Sequence, residues 1–325
     1  MIYLIANAFT TSGGPELLHQ LCHHLNKNGF EASMVYYRKL KFPTNGPEEP
    51  IIEKYGRYSC PYATRIVDSP NNIIIFPENT MFFLPKFKKV KKLIYWLSVD
   101  NYYSSFRLRY AKYYAPLGMR REKYNPFKNK YIHCVQSEYA RLFLLSKGVC
   151  EQSIHRLSDY LSEEFIKATN AESSYEKFDT ILYNPKKGLE FTQKIISSYT
   201  DVNWVPLINM SHSEMLDVLS HSKVYIDFGN HPGKDRIPRE AAICGCCIVT
   251  GLEGSAANDI DIPIKREYKF SSDLNEIPRI IKKLKYIIKN YETCRCDFDS
   301  YRSEIRSEEN IFIRETIDLF SKIAQ

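Results

Sequence analysis

Apolar and polar positions alternate along the first half of the chain in a pattern that predicts strands separated by helices. An apolar run at residues 2–6 predicts a first strand, and leucines at helical spacing predict a helix over residues 15–28. Asn28-Gly29 is a helix stop signal. Further strands are predicted at residues 32–37, 73–76, 92–97 and 131–136. Short connections between such elements favour a parallel sheet covered by helices on both faces.

The same alternation starts again near residue 178. Strands are predicted at 179–183, 203–207, 224–228 and 246–250, with helices at 189–199, 211–220 and 238–244 between them. Two long amphipathic helices are predicted to follow, at 271–291 and 307–324. The order of elements predicts an α/β protein with a Rossmann-like domain at 1–165, a second at 166–305 and a terminal helix at 306–325.

The composition excludes several other classes of protein. No apolar run reaches the roughly 18 residues of a membrane span, and the first residues lack the basic region of a signal peptide. The nine cysteines are odd in number and irregularly spaced, which is typical of reduced thiols in a cytoplasmic protein. No set of them has zinc spacing, and Asp259-x-Asp261 lies in a loop, so we predict no metal and no cofactor.

The net charge of +7 is concentrated in the first half of the chain. Residues 1–160 carry 23 Lys and Arg against 12 Asp and Glu, whereas the remainder carries 22 against 26. This imbalance predicts an anionic partner such as phospholipid, a diphosphate-linked lipid or nucleic acid. In the stretch 85–123, basic residues interleave with aromatics, which favours an anionic membrane surface with the aromatics in the headgroup region. The alternative is a solvated basic helix that leads into a buried strand.

The loop after the first strand is the first candidate for ligand contact. Gly13 and Gly14 let the backbone approach a ligand, and Glu16 follows them at the start of a helix that offers free N–H groups. The loop lacks the dinucleotide fingerprint G-x-G-x-x-G, and an ordinary tight turn is the alternative. In an open α/β sheet, however, this loop lies at the carboxyl end of a strand, where ligands bind.

A dense polar stretch at residues 231–240 is the second candidate. It follows the strand at 224–228, and it contains four cationic or donor side chains together with Gly233, which loosens the loop. These side chains are His231, Lys234, Arg236 and Arg239. Such a loop, ending at a helix start, is suited to a diphosphate, and Glu240 in the first helical turn is suited to a ribose. The alternative is a solvated loop in which Glu240 only favours the helix dipole.

Two more loops leave strands of the second half at the same end. One contains Ser255 after the strand at 246–250, and the other contains Lys186 and Lys187 after the strand at 179–183. In a parallel sheet these loops and the stretch 231–240 converge on one edge. In the first half, Asp100 follows the strand at 92–97 and is a candidate general base.

Several of these segments resemble one enzyme family. Gly13-Gly-Pro-Glu-Leu-Leu, followed by Gly29-Phe-Glu-Ala, resembles the start of GT-B glycosyltransferases of the retaining group-1 type. The segment 211–256 resembles their donor-binding half. The resemblance implies two Rossmann-like domains facing a central cleft, with the nucleotide-sugar in the C-terminal domain, the acceptor in the N-terminal domain, and the final helix crossing back to the first domain. Glu240 then matches the glutamate that contacts the donor ribose, and Lys186 the basic residue near the donor phosphate.

One position departs from that family. Many retaining members carry a second glutamate eight positions before the first, where this chain has Pro232, preceded by His231. A His-Pro pair here also resembles the phosphate-binding pair of enzymes that use CMP-activated acidic sugars. The donor therefore stays open between UDP-, GDP- and dTDP-linked sugars and a CMP-linked ulosonic acid of the Kdo or sialic acid type.

The resulting hypothesis is a metal-independent glycosyltransferase with the nucleotide-sugar as co-substrate. Asp100, Glu240 and His231 are predicted to be catalytic, and the donor phosphates to contact Lys186, Lys234, Arg236, Arg239, Gly233 and Ser255. The acceptor is a glycan or a polyprenyl-diphosphate-linked glycan of O-antigen or capsule synthesis, on the inner face of the membrane. The alternative enzyme is a nucleotide-sugar epimerase or hydrolase of the same fold. Nucleic-acid binding is disfavoured, because the basic residues match no nucleic-acid motif.

Overall fold

The computed structural model describes residues 1–39, 41–109, 125–170 and 175–324, without the side chains of 105–109 and 168–170. The chain divides into two compact units. The first comprises Met1–Asp159 with Asn310–Gln325, and the second comprises Tyr160–Glu309. The sequence analysis predicted boundaries at 165/166 and 305/306.

The first unit contains a six-stranded parallel sheet. Its strands are β1 (Ile2–Asn7), β2 (Ala32–Tyr37), β3 (Ile73–Pro77), β4 (Lys91–Trp96), β5 (Ile132–Val135) and β6 (Ile154–Arg156). Their order is β2-β1-β3-β4-β5-β6, and Ile2 of β1 lies opposite both Ala32 and Ile73. The helices are α1 (Gly13–Lys27), α2 (Ile51–Tyr55), α3 (Val99–Arg109) and α4 (Glu138–Ser146), with a 3₁₀ run at Glu78–Lys86. Because β2 and β3 are buried along their whole length, the sheet is covered on both faces.

The second unit contains a four-stranded parallel sheet. Its strands are β7 (Phe178–Tyr183), β8 (Asn203–Pro206), β9 (Ser222–Asp227) and β10 (Cys247–Thr250), in the order β10-β9-β7-β8. Its helices are α5 (Glu163–Asn170), α6 (Leu189–Ser198), α7 (His212–His221), α8 (Arg236–Ile243), α9 (Ile277–Lys289) and α10 (Tyr291–Cys296). Helix α7 begins with a capping box, since Ser211 and Glu214 each accept a backbone N–H of the other. The predicted α/β class is confirmed for both units.

The last helix, α11 (Asp299–Ile323), starts eight residues before its predicted start at 307. Its second part packs on the first unit. Glu315 accepts hydrogen bonds from the backbone N–H and the hydroxyl of Ser158, both at 2.7 Å. Lys91 donates to the Ile323 carbonyl at 2.8 Å, and the rings of Phe312 and His24 meet edge to face.

The stretch 85–123 differs from the prediction that its aromatic side chains enter a membrane. Tyr95 and Trp96 are fully buried, because β4 is an inner strand of the sheet and carries them into the core. The basic residues at 110–123 lie outside the described residues. None of the described helices combines the length and the apolarity that crossing a bilayer requires.

Candidate functional site

The loops after β9 and β10 are joined at the carboxyl edge of the second sheet. The His231 N–H donates to the Glu253 carbonyl at 3.3 Å, and the Ser255 N–H donates to the His231 carbonyl at 2.8 Å. The Ser255 hydroxyl donates to the Gly233 carbonyl at 2.6 Å. Ser255 is fully buried, so its side chain fastens the two loops to each other. This geometry favours a positioning role for Ser255, and its contact with the donor phosphates stays a prediction.

The loop after β7 closes on the same place. Gly188 has a φ of +63°, and a Cβ there would lie 2.5 Å from the backbone carbonyl of Phe228. A Cβ at Gly229 would overlap the aliphatic stem of Lys187, and the Lys187 ammonium donates to the Asn230 carbonyl at 3.3 Å. The prediction that these three loops converge on one edge is therefore confirmed.

Gly254 is the residue that lets the first two loops approach. Its φ is +64°, and a Cβ there would overlap the backbone carbonyl of His231. We expect Gly254→Ala to destabilise the second unit by at least about 3 kcal/mol, since backbone strain and a backbone clash act together. Gly148→Ala is the matched control, because Gly148 has a φ of +79° but no atom near a new Cβ, and it should cost only about 1 kcal/mol. Equal losses of thermal stability in the two variants would contradict the close approach.

A buried cluster of charges supports the loops from below. The ring of His231 lies between two carboxylates, with Nδ1 3.1 Å from Asp235 Oδ2 and Nε2 3.6 Å from Asp227 Oδ1. The Lys187 ammonium is 3.2 Å from Asp227 and bonded directly to Asp235. Asp227 also accepts from the hydroxyl of Tyr225 at 2.8 Å and from the N–H of Gly229 at 2.9 Å. Every charge in the cluster therefore has an opposite charge or a dipole beside it.

This cluster changes the ionisation of Asp235. Burial would raise the pKa of this carboxyl, but its hydrogen bond to His231 and the Lys187 charge outweigh burial and hold the pKa below its usual value. Asp227, His231 and Asp235 also offer atoms within 4.8 Å of one another, as metal ligands do. The Lys187 ammonium contacts both carboxylates and supplies the positive charge that an ion would bring.

His231 is fully buried inside this cluster. A catalytic role or direct phosphate contact requires ring atoms that a substrate can reach, and the His231 ring faces two protein carboxylates instead. This geometry favours a positioning role for His231, and the catalytic role that the sequence predicted stays a prediction.

A second buried ion cluster anchors the loop 231–235 to α11. Glu308 pairs with Lys234 at 2.7 Å and with Arg239 at 2.8 Å, and all three side chains are less than 10% exposed. The Arg239 guanidinium also donates to the Lys234 carbonyl at 3.2 Å. Lys234 and Arg239, predicted to bind donor phosphates, therefore each form an ion pair with the buried carboxylate of Glu308. Gly233 is also buried, and its carbonyl accepts from Ser255.

Three of the predicted donor residues retain exposed surface. Lys186 is exposed, and Arg236 and Glu240 are partly exposed on the first two turns of α8. Asp235 occupies the N-cap position of α8, but its side chain does not cap the helix, because it is bonded to Lys187 and His231. The first backbone N–H groups of α8 therefore receive no hydrogen bond from the N-cap side chain, and such groups suit an anion.

In the first unit, the carboxyl edge of the sheet holds the other candidate residues. Asp100 lies in the first turn of α3, and the hydroxyl of Ser98 caps that helix by accepting the Asn101 N–H at 3.1 Å. Gly14, in the first turn of α1, comes within reach of β4, since a Cβ there would lie 3.3 Å from the Leu97 side chain. Gly13 is the first residue of α1. These predicted residues therefore border one edge of the first sheet.

Glu16 has an internal partner. Its carboxylate pairs with the Arg57 guanidinium at 2.7 Å and accepts from the Tyr58 hydroxyl at 3.1 Å. The side chain is 9% exposed, so this carboxylate holds the segment 57–58 against α1. Glu16 lies in the first turn of α1, as predicted, and its carboxylate contacts Arg57 and Tyr58. Its contact with a ligand stays a prediction.

Glu78 is a buried carboxyl at this edge that the sequence analysis did not identify. It follows β3 directly, is 3% exposed and accepts the Leu97 N–H at 3.0 Å. Burial raises the pKa of Glu78 to about 7, against the lowering effect of its backbone hydrogen bonds. This hydrogen bond fixes Leu97, which lies two residues before the start of α3 and three residues before Asp100. The rule that selected Asp100, a carboxylate within three residues of the end of a predicted strand, would also have found Glu78.

The raised pKa of Glu78 predicts a pH-dependent stability. Between about pH 4.5 and pH 7 the folded chain holds a proton on Glu78 that the unfolded chain has released. Stability from this group is therefore present below the unfolded pKa and is lost as the pH rises towards 7, by up to about 3 kcal/mol. Glu78→Gln keeps an oxygen acceptor for Leu97, so the wild type should lose unfolding free energy relative to this variant across that range.

The measurement is the difference in unfolding free energy between the wild type and Glu78→Gln from pH 4.5 to pH 8. Glu53→Gln, at an exposed position of the same unit, controls for the loss of one negative charge. A difference that does not change with pH would contradict the burial of an ionisable carboxyl at residue 78.

Comparison with known proteins gives structural matches and no sequence match. No protein-family model and no curated protein matches the sequence. A glycosyltransferase from Rickettsia africae matches with a TM-score of 0.64 and 13% identity, over 100% of this chain and 98% of that chain.

Two other solved structures match over nearly the whole chain. Anabaena HepE in complex with UDP matches with a TM-score of 0.65 and 10% identity, over 99% of this chain and 100% of that one. WaaG, a glycosyltransferase involved in lipopolysaccharide biosynthesis, matches with a TM-score of 0.55 and 8% identity, over 96% and 98%. At these identities the matches show a shared fold. The chain therefore has the GT-B fold of these glycosyltransferases.

Proposed function

We propose that the chain is a glycosyltransferase whose donor, a nucleotide-activated sugar, binds at the carboxyl edge of the second sheet. The observation that carries this proposal is the joining of three loops at that edge, with Lys186 exposed and Arg236 and Glu240 partly exposed beside the start of α8. Ligands of open parallel sheets bind at the carboxyl ends of the strands. The GT-B fold of the structural matches agrees with this location.

In this proposal the exposed residues divide the recognition of the donor between them. Lys186, Arg236 and the positive end of α8 neutralise the diphosphate, whose negative charge grows as the sugar departs. The Glu240 carboxylate accepts hydrogen bonds from the ribose hydroxyls. The buried residues His231, Lys234, Arg239 and Ser255 hold the loops in place for these contacts. Protein cations supply the charge, so the proposed transfer needs no metal and no cofactor.

UDP is the first nucleotide to test. Anabaena HepE, which shares the fold, is known in complexes with UDP and with UDP-glucose. The burial of His231 between carboxylates also argues against a CMP-linked donor, because that alternative depended on an accessible His-Pro pair.

We place the acceptor at the carboxyl edge of the first sheet, near Gly13, Gly14 and Asp100. Asp100 would deprotonate the acceptor hydroxyl if the configuration inverts. The proposed acceptor is a glycan, either free or on a polyprenyl-diphosphate carrier, in surface polysaccharide synthesis. The fold shared with WaaG, a protein of lipopolysaccharide biosynthesis, supports this class, as does the basic character of the first half of the chain. An acceptor of this class would place the enzyme on the cytoplasmic face of the membrane.

The test is an assay of transfer from UDP-sugars to a lipid-linked glycan acceptor. Transfer is measured by the nucleotide released and by the mass of the product. We expect Arg236→Ala and Glu240→Ala to lower kcat/KM by about 10²-fold or more, since each removes a charged contact to the donor. Arg279→Ala, an exposed arginine of α9, is the matched control and should retain activity. Full transfer by both Arg236→Ala and Glu240→Ala would contradict the proposed site. Donor turnover without acceptor would favour a hydrolase or epimerase instead.

A further inference from the structure

A cavity lies in the second unit, at the edge of its sheet opposite the candidate donor loops. It has a volume of about 490 Å³ and is bordered by Lys177, Lys223 and Gly245. These residues lie at or just before the amino ends of β7, β9 and β10, whereas the donor loops follow the carboxyl ends. Helix α8, about 12 Å long, starts at the donor loops and ends at this cavity with Ile243. The cavity is therefore separate from the proposed donor site.

The lining of this cavity is strongly cationic. Two lysines and three arginines line it, against two carboxylates, those of Glu176 and Glu292. The cations are Lys177, Lys223, Arg295, Arg302 and Arg306. Ile243 is the one aliphatic side chain among the described lining residues, beside Tyr175 and Tyr291, so the cavity presents mainly polar surface. Its size falls within the roughly 300–1,000 Å³ of small-molecule sites.

The two lysines contribute charge more than hydrogen-bond donors. Lys177 donates to the carbonyls of Leu219, Ser222 and Cys244 at 3.1, 3.0 and 2.7 Å, which uses all three of its ammonium hydrogens. Lys223 pairs with Asp179 at 2.5 Å and donates to the Ile288 carbonyl at 3.3 Å. Both ammonium groups are thus fixed at the cavity wall and raise the positive potential inside it.

Arg302 supplies the donor that lacks a protein partner. The residue is 6% exposed, and its Nη2 donates to the Arg295 carbonyl at 2.8 Å and to Asp299 Oδ1 at 2.5 Å. Its Nη1 is buried and has no acceptor among the described residues. A buried guanidinium nitrogen without an acceptor costs free energy, so an acceptor from a ligand is favoured at this place. The Arg295 side chain lines the same cavity and is 47% exposed.

We propose that this cavity binds a small phosphorylated molecule, whose phosphate group accepts hydrogen bonds from Arg302 Nη1 and from the Arg295 guanidinium. Planar guanidinium groups suit the oxygens of a phosphate, and the fixed lysines balance its charge. Glu176 and Glu292 then face the remainder of the ligand and accept hydrogen bonds from its hydroxyl groups. A sugar phosphate and inorganic phosphate can both accept the hydrogen bonds of the two arginines. Only the sugar phosphate has hydroxyl groups to donate to Glu176 and Glu292.

Calorimetric titration of the full chain with glucose 6-phosphate and with inorganic phosphate tests the proposal, at constant ionic strength in a buffer without phosphate or sulfate. We expect saturable binding of both ligands, with the sugar phosphate tighter. Saturable binding of inorganic phosphate alone would support the phosphate contact and assign the cavity to the free ion. Unphosphorylated glucose should give no binding heat.

Variants of the lining connect this binding to the cavity. Arg302→Gln and Arg295→Ala should each weaken the binding of glucose 6-phosphate by at least about tenfold, the loss typical of one charge-assisted hydrogen bond. Arg295 is a surface residue, so its variant keeps the test valid if Arg302→Gln fails to fold. Arg279→Ala removes the same charge from an exposed position away from the cavity and should bind as the wild type does. No saturable binding by the wild type, or unchanged binding in Arg295→Ala and in folded Arg302→Gln, would overturn the proposal.

Discussion

Glu308→Gln should destabilise the second unit by about 3–5 kcal/mol, because it removes the buried carboxylate that pairs with both Lys234 and Arg239. The side chains of Glu308 and Arg239 are 3% and 1% exposed, so water cannot replace the lost charge. The loss should also loosen the loop at 231–235, since Arg239 and Lys234 hold that loop against α11. Donor affinity should therefore fall together with stability.

Urea unfolding, monitored by tryptophan fluorescence, measures this effect in the second unit alone. The chain contains two tryptophans, and Trp204 is the one that lies in the second unit. In a Trp96→Phe background, Trp204 is therefore the only tryptophan signal. Glu309→Gln is the matched control, because Glu309 is the exposed neighbour of Glu308 and its loss should change stability by less than about 0.5 kcal/mol. Similar stability of the two variants would contradict the buried anchor.

Lys186 and Lys187 are adjacent in sequence, and their substitution by methionine should have opposite consequences. Lys187→Met removes the ammonium that lies against Asp227 and Asp235, so the two carboxylates lose the positive charge that offsets theirs. We expect a loss of about 3 kcal/mol or more in the free energy of unfolding. Lys186→Met removes an exposed charge and should leave stability within about 0.5 kcal/mol of the wild type.

Nucleotide affinity should separate the two variants in the other direction. At a temperature where both are folded, Lys186→Met should weaken nucleotide diphosphate binding by about tenfold, since it removes a direct phosphate contact in the proposed site. The comparison of urea midpoints with titration affinities checks both halves of this prediction. A stability loss in Lys186→Met that equals the loss in Lys187→Met would show that the two side chains do not divide their roles in this way.

This pair of lysines also shows where sequence reasoning stops. The chain order predicted that the loops after β7, β9 and β10 meet, because parallel strands put their carboxyl ends on one edge. Which lysine of two neighbours points inward depends on the backbone turn at Gly188, whose φ is +63°, and no periodic pattern contains that information. Local order was predictable here, and side-chain direction was not.

The buried anchors show a second limit. Lys234 and Arg239 were predicted to bind phosphate because a cationic loop before a helix start is suited to an anion. Their actual partner, Glu308, lies 69 residues beyond Arg239, in a helix predicted only from its amphipathic pattern. Long-range pairs of charges are therefore invisible to single-sequence reasoning.

The elements that were missed have a simpler reason. Helix α2 has five residues and β6 has three, which is too short for a periodic pattern to be distinguished from chance. Helix α4 was detectable, since Ser137 has the cap position and accepts the Ala140 N–H at 3.2 Å. Glu78 was detectable as well, because it lies two residues after the end of a predicted strand.

Calorimetric titration tests the central claim most directly, with UDP, GDP, dTDP and CMP added to the wild type and to Glu240→Gln. The claim is that the joined loops at the carboxyl edge of the second sheet form a nucleotide-sugar site with Glu240 on the ribose. The account predicts saturable binding of one nucleotide diphosphate, UDP first, and at least about tenfold weaker binding in Glu240→Gln. Binding of none of these nucleotides by the wild type, or equal affinity in Glu240→Gln, would contradict it.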